Sequence, residues 1–447
     1  MGIIIDCFAG GGGASVGIEM ALGRKVDIAV NHDPEAIRMH KVNHPNTLHL
    51  TEDIFEVDLE QYVHGRKVDL MWASPDCTSH SKAKGGQPRS KGLRILPWAV
   101  YKHARKLLPA VIIMENVEEI QEWGPLDSNG YPIKNRAGED YKKFIASMES
   151  LGYDFASREL VAADYGAPTT RKRWYAIFRN DGKQIVFPEP THSSCGFPLK
   201  KWQQCGDYID WSDLGRSIFD RKRPLAEATQ KRIANGILKY IVNEKHPYIV
   251  KSEDALAFLI QYHGETKEGT SRGQMLTEPI KTIDTSNRYG LVMAFITKFY
   301  KTGTGQSCEE PLHTITTSPG HFGVVSAFLV KYYGTGCGQT ITTKDRFGLV
   351  NVLMVEGQKY IISDIFLRML KPEELKVMQG FPDDYIINRD IEWKPYSKKE
   401  QVARIGNSVV PIMAQVLVQA NCPYLIKGKR AKNLVIDSSG EQCKFAI

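Results

Sequence analysis

Long apolar runs are absent from this chain of 447 residues. No stretch approaches the ~18 consecutive apolar residues that a membrane-spanning helix requires, so we expect no membrane partner. The N-terminus, MGIIIDCFAGGGG, also lacks the basic segment, apolar core and small-residue cleavage site of a secretory signal. Both absences favour a cytoplasmic protein.

Paired cysteines are missing as well. The eight cysteines are scattered, and no two of them form a C-x-x-C pair. This spacing argues against a zinc knuckle and against a dense disulfide framework, so we expect no metal site. Charge of one sign is not strongly enriched, because 58 basic and 51 acidic residues leave a net charge of only +7. A mildly basic balance fits a nucleic-acid partner and many other functions equally well.

The first part of the chain, from Ile3 to about Phe178, alternates short apolar runs with longer amphipathic stretches. This alternation predicts βαβ units, and hence a parallel sheet with helices on both faces. Ligands of such sheets bind beyond the carboxyl ends of the strands. We therefore expect a site at that edge, where the apolar runs are followed by Asp6, Asn31, Asp53, Cys77 and Glu115.

The chain changes character after FPEPTHSS (187–194), where Pro, Ser and Thr indicate a boundary. Three related stretches follow at 272–292, 304–325 and 337–350, each with Gly-Gln, then Thr-Ile, then an aromatic-Gly-Leu/Val ending. Their β-branched and aromatic residues predict short strands and hairpins. Three irregular copies are too few for a long solenoid, so we predict repeated hairpins that form one sheet in a small β-rich domain.

The last part of the chain returns to a helical pattern. FLRMLKPEELKVMQGFPDDY (366–385) and RIGNSVVPIMAQVLVQA (404–420) both predict helices. The final residues, from 426 to 447, predict a polar tail, since chain termini are weakly ordered.

A glycine-rich turn joins the first predicted strand to the first predicted helix in IIIDCFAGGGGASVGIEMA (3–21). Glycines there permit a tight turn and a close approach of a ligand to the N-terminus of the helix. The run is not G-x-G-x-x-G, and no Gly-Lys-Ser/Thr follows it, which argues against dinucleotide and phosphate loops. Asp6 suits a cationic or hydroxylated part of a cofactor. On this motif alone, a turn without any ligand is equally well supported.

Cys77, in PDCTSHS, is the candidate nucleophile. A thiolate attacks far better than a thiol, so its pKa would have to be lowered by cations or backbone amides. Lys82, Lys84 and Arg89 follow in the same loop and could supply that charge. A lone cysteine is more commonly an incidental residue.

Charged residues beside two other predicted strands complete the set of candidates. Glu115, at the end of VIIMEN, is placed to act as a general acid or to cap the next helix. Arg171 and Arg173 stand two residues apart before a strand, so both could reach one face of a site. A solvated basic turn is the commoner explanation of such a pair, and no single motif decides between these interpretations.

The order of the motifs is more informative than any one of them. The glycine turn, Pro-x-Cys, Glu-Asn-Val, Arg-x-Arg, QGFPDD and GNSVVP follow one another as in C5-cytosine DNA methyltransferases. The chain resembles that family over about residues 3–180 and 366–420. The family keeps its variable target-recognition domain in the intervening position.

This resemblance implies a Rossmann-like SAM-dependent methyltransferase fold, of the α/β class, with a smaller β-rich target-recognition domain. It implies a catalytic domain at 1–185 that is completed by 366–425, a target-recognition domain at 186–365, and a tail at 426–447. The implied partner is double-stranded DNA, bound by a monomer, with a cognate restriction endonuclease as a further partner of a restriction–modification system.

The resemblance also implies roles for particular residues. Cys77 would attack C6 of cytosine, Glu115 would engage the cytosine edge, and Arg171 and Arg173 would support it as cations. S-adenosylmethionine (SAM) would be bound by residues from several motifs: Asp6, Phe8, Ala9, Gly10, Gly12, Gly13, Asn31, Asp33, Asp53, Ile54, Asn407, Ser408 and Val409. The loop after the nucleophile would contact DNA through Ser81, Lys82 and Lys84.

Three positions depart from the family pattern. Asp76 replaces the second proline of Pro-Pro-Cys, and an extra carboxylate there tends to raise the pKa of the Cys77 thiol. Thr169 stands in place of the glutamine ahead of Arg-x-Arg. Asn31 occupies the place of the acidic residue that holds the SAM ribose, with Asp33 two residues further on.

Two other functions are compatible with the motifs. A tRNA cytosine methyltransferase shares much of the set, although the long repeat-bearing segment favours DNA. A catalytically inactive DNA-binding relative would also keep the fold. The presence of Cys77, Glu115, Arg171 and Arg173 argues against that alternative.

Overall fold

The structure, a computed structural model, describes residues 2–76, 90–250, 255–262, 272–299, 353–355, 358–426, 434–436 and 443–445. The chain divides into two compact units. Unit 1 comprises residues 1–202, 281–285 and 379–447, and unit 2 comprises residues 203–280 and 286–378. Each unit is built around its own sheet.

Unit 1 contains a seven-stranded sheet in the order β3-β2-β1-β4-β5-β7-β6. The strands from β3 to β5 in this order run parallel, whereas β7 is antiparallel to both β5 and β6. Apolar runs such as IIIDC in β1 are buried along their whole length, as expected for strands covered on both faces. The strands are β1 (Ile3–Cys7), β2 (Ile28–Val30), β3 (Leu48–Leu50), β4 (Val68–Ala73), β5 (Val111–Asn116), β6 (Asp154–Val161) and β7 (Lys172–Arg179).

Helices cover both faces of this sheet and bury two apolar clusters against it. Residues of α3, α5 and α6 belong to one cluster, and residues of α1 and α10 belong to the other. A Cβ on Gly17 of α1 would overlap the carbonyl of Pro411 in α10, so this close packing requires glycine. The helices of unit 1 are α1 (Gly13–Leu22), α2 (Pro34–Asn43), α3 (Leu59–Val63), α4 (Lys91–Arg94), α5 (Leu96–Leu107), α6 (Glu139–Ser150), α9 (Lys398–Gly406) and α10 (Pro411–Asn421).

Unit 2 is built on an antiparallel sheet in the order β10-β16-β14-β12-β11, with β13 added to β12 and β15 to β16. Its core includes Phe258 and Ile260 of β12, against which α7 places Ile233 and Ile237. The elements are β10 (Arg216–Ser217), α7 (Glu227–Ile237), β11 (Tyr248–Val250), β12 (Ala255–Gln261), β13 (Gly273–Met275), β14 (Tyr289–Phe299), β15 (Leu353–Val355), β16 (Gln358–Met369) and α8 (Pro372–Met378).

The first of the three repeated stretches lies in this sheet. Its Gly-Gln forms part of β13, and its Tyr-Gly-Leu-Val ending begins β14. The buried Gln274 donates to the carbonyl of Pro279, which ties the Gly-Gln of the repeat to its Glu-Pro. The second and third copies lie outside the described residues, so the prediction that all three form one sheet stays a prediction.

Two segments differ from the sequence expectation. Residues 366–369 belong to β16 rather than to a helix, because β16 pairs with β14 through Met369, and only 372–378 are helical in α8. The compact units change at 203 and 379, and the predicted domain bounds at 186 and 366 stay a prediction. Within the predicted tail, β17 (Leu434–Ile436) pairs with β18 (Cys443–Phe445).

Small elements complete the description. The short strands β8 (His192–Ser193) and β9 (Lys200–Lys201) pair with each other in unit 1. Among the described residues, no helix is long and apolar enough to cross a membrane.

Candidate active site

The carboxyl ends of five neighbouring parallel strands meet at one edge of the unit 1 sheet. Asp6 lies near the end of β1, and Ser74 follows the adjacent β4 directly. Glu115 lies at the end of β5, which pairs with β4 on its other side. The register thus brings together side chains that are far apart in the sequence, as the strand-end argument predicts.

A cavity opens at this edge between the glycine turn and the segment that follows α9. Nine of the predicted cofactor residues line it, so the structure joins the first and last motifs of the chain. The lining residues are Asp6, Phe8, Ala9, Gly10, Gly11, Gly12, Gly13, Ala14, Ser74, Asn407, Ser408 and Val409.

The glycines of the turn are required for two different reasons. Gly12 adopts φ 85°, and a Cβ there would overlap the hydroxyl of Tyr385. A Cβ on Gly13 would overlap the carbonyl of Val409. Gly10, in contrast, has only the Phe8 carbonyl within reach, at 4.0 Å, so its missing side chain leaves the cavity open.

Asp6 supplies an unpaired carboxylate oxygen to this cavity. Its side chain is fully buried, and its Oδ2 accepts a hydrogen bond of 2.7 Å from the hydroxyl of Ser15. Its Oδ1 has no hydrogen-bond partner among the described residues. Burial raises the pKa of Asp6 to about 7, although hydrogen bonds from Ser15 act in the opposite direction. A bare carboxylate oxygen in a buried cavity favours a cationic ligand.

Four other predicted cofactor residues, Asn31, Asp33, Asp53 and Ile54, do not line the cavity. Asp33 caps α2 and forms an ion pair with Arg404, so both of its oxygens are engaged. Asn31 accepts from the backbone amide of Asp33, and Asp53 accepts from that of Phe55. These contacts stabilise the turns after β2 and β3, and the assignment of a ribose or adenine contact stays a prediction.

Glu115 and Arg173 form an ion pair at the next strand end. Arg173 Nε lies 3.2 Å from Glu115 Oε1, and both side chains are largely shielded from solvent. The pair arises because β7 runs antiparallel to β5, which places the start of one strand beside the end of the other. A carboxyl and a guanidinium held together in a sheltered edge can bind a polar, planar ligand.

Arg171 has a different environment from Arg173. Its buried guanidinium donates from Nη1 to the carbonyls of Ile283 and Gly406, at 3.3 and 3.0 Å. The Gly406 carbonyl directly precedes Asn407, a residue of the cavity. In these contacts Arg171 positions the backbone of the cavity, whereas the sequence predicts a cation beside Glu115.

The chain segment before the predicted nucleophile is anchored at this same place. The buried Asn116 donates from Nδ2 to the carbonyl of Pro75 at 3.0 Å. Pro75 precedes Cys77 by two residues in the sequence. Cys77 itself, together with Ser81, Lys82 and Lys84, lies outside the described residues, so the roles given to them stay predictions.

Sequence reasoning did not identify several residues of the site. Gly11 and Ser74 line the cavity, and the Tyr385 hydroxyl donates to the carbonyl of Gly11 at 2.8 Å. Gly11 could have been found as part of the unbroken glycine run. Tyr385 could have been suspected from its place in QGFPDDY, but Ser74 carries no signal of its own.

The family follows from a comparison with known families. The model of C-5 cytosine-specific DNA methylases matches residues 3–421. The chain belongs to this family. The predicted membership is therefore confirmed.

Two curated relatives illustrate the similarity. Type II methyltransferase M.AquIA of Picosynechococcus sp. is 30% identical over 203 residues, which is 42% of this chain and 76% of that protein. Type II methyltransferase M1.HphI of Haemophilus parahaemolyticus is 30% identical over 194 residues, or 42% of this chain and 49% of that protein. The matched region thus spans about half of the second relative.

A solved structure supports the fold class. It is described as a DNA modification methyltransferase encoded within a prophage of E. coli, and it aligns with a TM-score of 0.50 at 18% identity. The alignment covers 94% of this chain and 98% of that one. The predicted fold class, a Rossmann-like core with an additional β-rich unit, is confirmed.

Proposed function

We propose that this protein transfers a methyl group from SAM to C5 of cytosine within a short specific sequence of double-stranded DNA. The observation that carries the proposal is the pair Glu115–Arg173, held beside the anchored approach to Cys77 and at the same sheet edge as the Asp6 cavity. A carboxyl, a guanidinium and a thiol are the groups that methylation of cytosine C5 requires.

The cavity has features that fit SAM. The unpaired Asp6 Oδ1 suits a cationic group, and the open space at Gly10 leaves room for a ligand against the glycine turn. Helix α1 begins at Gly13, and its N-terminus suits the carboxylate of SAM, because backbone N–H groups and the helix dipole both favour negative charge there. SAM would supply an electrophilic methyl group.

Cytosine C5 is too electron-poor to accept that methyl group unaided. In the proposed mechanism the Cys77 thiolate attacks C6, which makes C5 an enamine-like nucleophile. Glu115 assists protonation at N3 and so limits the negative charge on the ring. Arg173 holds Glu115 and stabilises the same charge electrostatically. After methylation, C5 loses its proton and Cys77 is eliminated.

Access to the base requires that it leave the helical stack. C5 and C6 of a stacked cytosine are not accessible to an enclosed site, so we include base flipping in the proposal. Lys82 and Lys84 would contact phosphates from the loop after Cys77. We assign sequence recognition to unit 2, because base-edge contacts specify a site whereas phosphate contacts position it.

The setting proposed for this activity is a restriction–modification system. The two relatives described above are named Type II methyltransferases. We propose a monomer that protects its target from a cognate endonuclease in the cytoplasm.

Bisulfite sequencing tests the proposal. DNA from cells that express the chain should contain protected cytosines in one short recurring context, and a Cys77→Ala control should contain none. A fully converted genome would contradict methylation of DNA, and assay of tRNA from the same cells would then test the RNA alternative. DNA and SAM binding should largely survive in Cys77→Ala, because the thiol is needed for the chemical step.

A further inference from the structure

A row of buried polar side chains lies behind the Asp6 cavity, and its members beyond Asp6 have no part in the proposed function above. It runs from Asp6 in β1 through Ser15 in α1 and His40 in α2 to His49 in β3. Asp6, Ser15 and His40 are fully buried, whereas His49 is half-buried. The row therefore connects the cavity to the outer part of unit 1.

Each neighbouring pair in this row is within hydrogen-bond distance. Ser15 Oγ lies 2.7 Å from Asp6 Oδ2, and His40 Nε2 lies 3.0 Å from Ser15 Oγ. His40 Nδ1 lies 2.9 Å from His49 Nε2. Both ring nitrogens of His40 are thus engaged, and the ring is fixed in orientation.

The distances also determine the direction of donation when Asp6 is ionised. A carboxylate only accepts, so the single hydroxyl proton of Ser15 must point to Asp6. Ser15 Oγ can then only accept from His40, which must carry its proton on Nε2. His40 Nδ1 is left as an acceptor, and His49 donates to it from Nε2. Protonation of Asp6 permits the opposite direction along the whole row.

Burial is the main reason that the histidines of the row are neutral. Burial lowers the pKa of His40 well below its usual value, and it lowers the pKa of His49 to about 4. Lys41 lowers the pKa of His49 further, because a nearby cation disfavours a second positive charge. The other titratable groups that face the row, among the described residues, are Cys7 of β1, Glu19 of α1, His44 directly after α2, and Tyr385.

We propose that His40 is a positioning residue of the cofactor site. Supported by His49, it orients Ser15 so that Asp6 presents Oδ1 to the cavity. A cationic ligand that binds there displaces a proton from Asp6. The inference rests on the proposed binding of SAM, whose amino-acid end carries an ammonium group. In the balanced step, the O–H bond of the protonated Asp6 breaks and its proton passes to the solvent. The carboxylate then accepts from the ammonium and from Ser15.

The test is calorimetric titration of the full chain with S-adenosylhomocysteine, which retains the ammonium group. Titrations at pH 6.5 in two buffers of different ionisation enthalpy measure how many protons are released. The wild type should release most of one proton, because burial raises the pKa of Asp6 to about 7. Methylthioadenosine, which lacks the amino-acid end, should bind without proton release.

Loss of His40 should weaken the binding of S-adenosylhomocysteine and leave the binding of methylthioadenosine unchanged. We expect His40→Phe to bind S-adenosylhomocysteine about tenfold more weakly, the effect of one displaced buried hydrogen-bonding group, and to bind methylthioadenosine unchanged. The same variant should raise KM for SAM with little change in kcat. Ser15→Ala should show the same selective loss, and the double variant should be no worse than either single one.

A matched control is His64→Gln, because His64 is an exposed residue at the end of α3. Circular dichroism identifies any variant that fails to fold, and Ser15→Ala then carries the test. If folded His40→Phe and Ser15→Ala bound S-adenosylhomocysteine with unchanged affinity and unchanged proton release, the inference would be overturned and the proposed function would not. Failure of the wild type to bind either ligand would overturn the proposed function instead.

Discussion

Two buried carboxylates, one in each unit, have opposite environments. In unit 2 the buried Glu374 is paired, because Arg368 donates to it twice, at 2.7 and 2.9 Å. In unit 1 the carboxyl edge of the sheet leaves Asp6 Oδ1 buried and unpaired beside a cavity. An unpaired buried carboxylate oxygen is costly, and beside a cavity it indicates where a ligand is expected.

The difference follows from sheet topology. Parallel strands direct all their carboxyl ends to one edge, where loops from distant parts of the sequence meet. Antiparallel strands alternate in direction, so unit 2 has no comparable edge. The contrast favours chemistry in unit 1 and leaves the recognition of a target to unit 2.

Exchange of unit 2 for that of a relative gives the largest effect that this comparison predicts. A chimera that replaces 203–280 and 286–378, and keeps 281–285, should methylate a different target sequence. Its chemistry should be unchanged, because the proposed catalytic residues stay in unit 1. Bisulfite sequencing reads out the new target, and an unchanged target would contradict the assignment of recognition to unit 2.

Glu115→Gln should lower kcat by roughly 10²–10⁴-fold, the usual contribution of general acid–base catalysis. The amide keeps the shape of the side chain but cannot assist protonation at N3. Single-turnover methylation measures the change. Glu118→Gln is a suitable control, because Glu118 lies just beyond the same strand and forms an exposed ion pair with Lys172. Equal rates for wild type and Glu115→Gln would remove Glu115 from the mechanism.

Arg368→Ala should lower the free energy of unfolding by about 3–5 kcal/mol, because it leaves Glu374 as a buried unpaired charge. Urea denaturation measures this loss. Arg136→Ala breaks the exposed pair with Glu139 and should cost only ~0–1 kcal/mol. If the folded Arg368→Ala variant bound S-adenosylhomocysteine much more weakly, the proposed division of roles between the units would be wrong.

Asp6→Asn should change how stability depends on pH in the ligand-free protein. The folded pKa of Asp6 is raised to about 7 from a usual 3.8, so between these values the folded state holds a proton that the unfolded state has lost. Wild-type stability from this group therefore falls as pH rises through that window.

Urea midpoints at pH 5.5 and pH 8 check this prediction. The free energy of unfolding of Asp6→Asn, relative to that of the wild type, should be higher at pH 8 than at pH 5.5 by at least ~1 kcal/mol, the equivalent of one pKa unit. A constant difference between the two proteins at both pH values would show that Asp6 does not titrate as its burial requires.

Local patterns in the sequence were sufficient to predict the parallel part of the sheet, the glycine turn and the strand-end position of Glu115. They did not predict that β6 and β7 at the end of the sheet pair antiparallel. They were not sufficient for contacts between distant segments. Arg171 is predicted as a second active-site cation, and the sequence does not reveal that it donates to the carbonyls of Ile283 and Gly406, far along the chain. The row from Asp6 to His49 likewise joins two strands and two helices, and no spacing rule identifies it.

Two further differences have local physical reasons. Residues 366–369 look helical beside α8, but pairing with β14 makes them a strand, as tertiary context overrides a short apolar pattern. Asp33 stands where a cofactor contact is expected, yet it is also an N-cap ahead of Pro34 and serves that purpose here.

The covalent step through Cys77 is the central claim, and trapping with DNA that contains 5-fluorocytosine tests it most directly. The fluorine on C5 cannot leave as a proton does, so the enzyme should remain attached after methyl transfer. We predict a denaturation-resistant protein–DNA complex that requires SAM and is absent in Cys77→Ala. Methylation of ordinary target DNA without any trapped complex on the fluorinated target would contradict the mechanism.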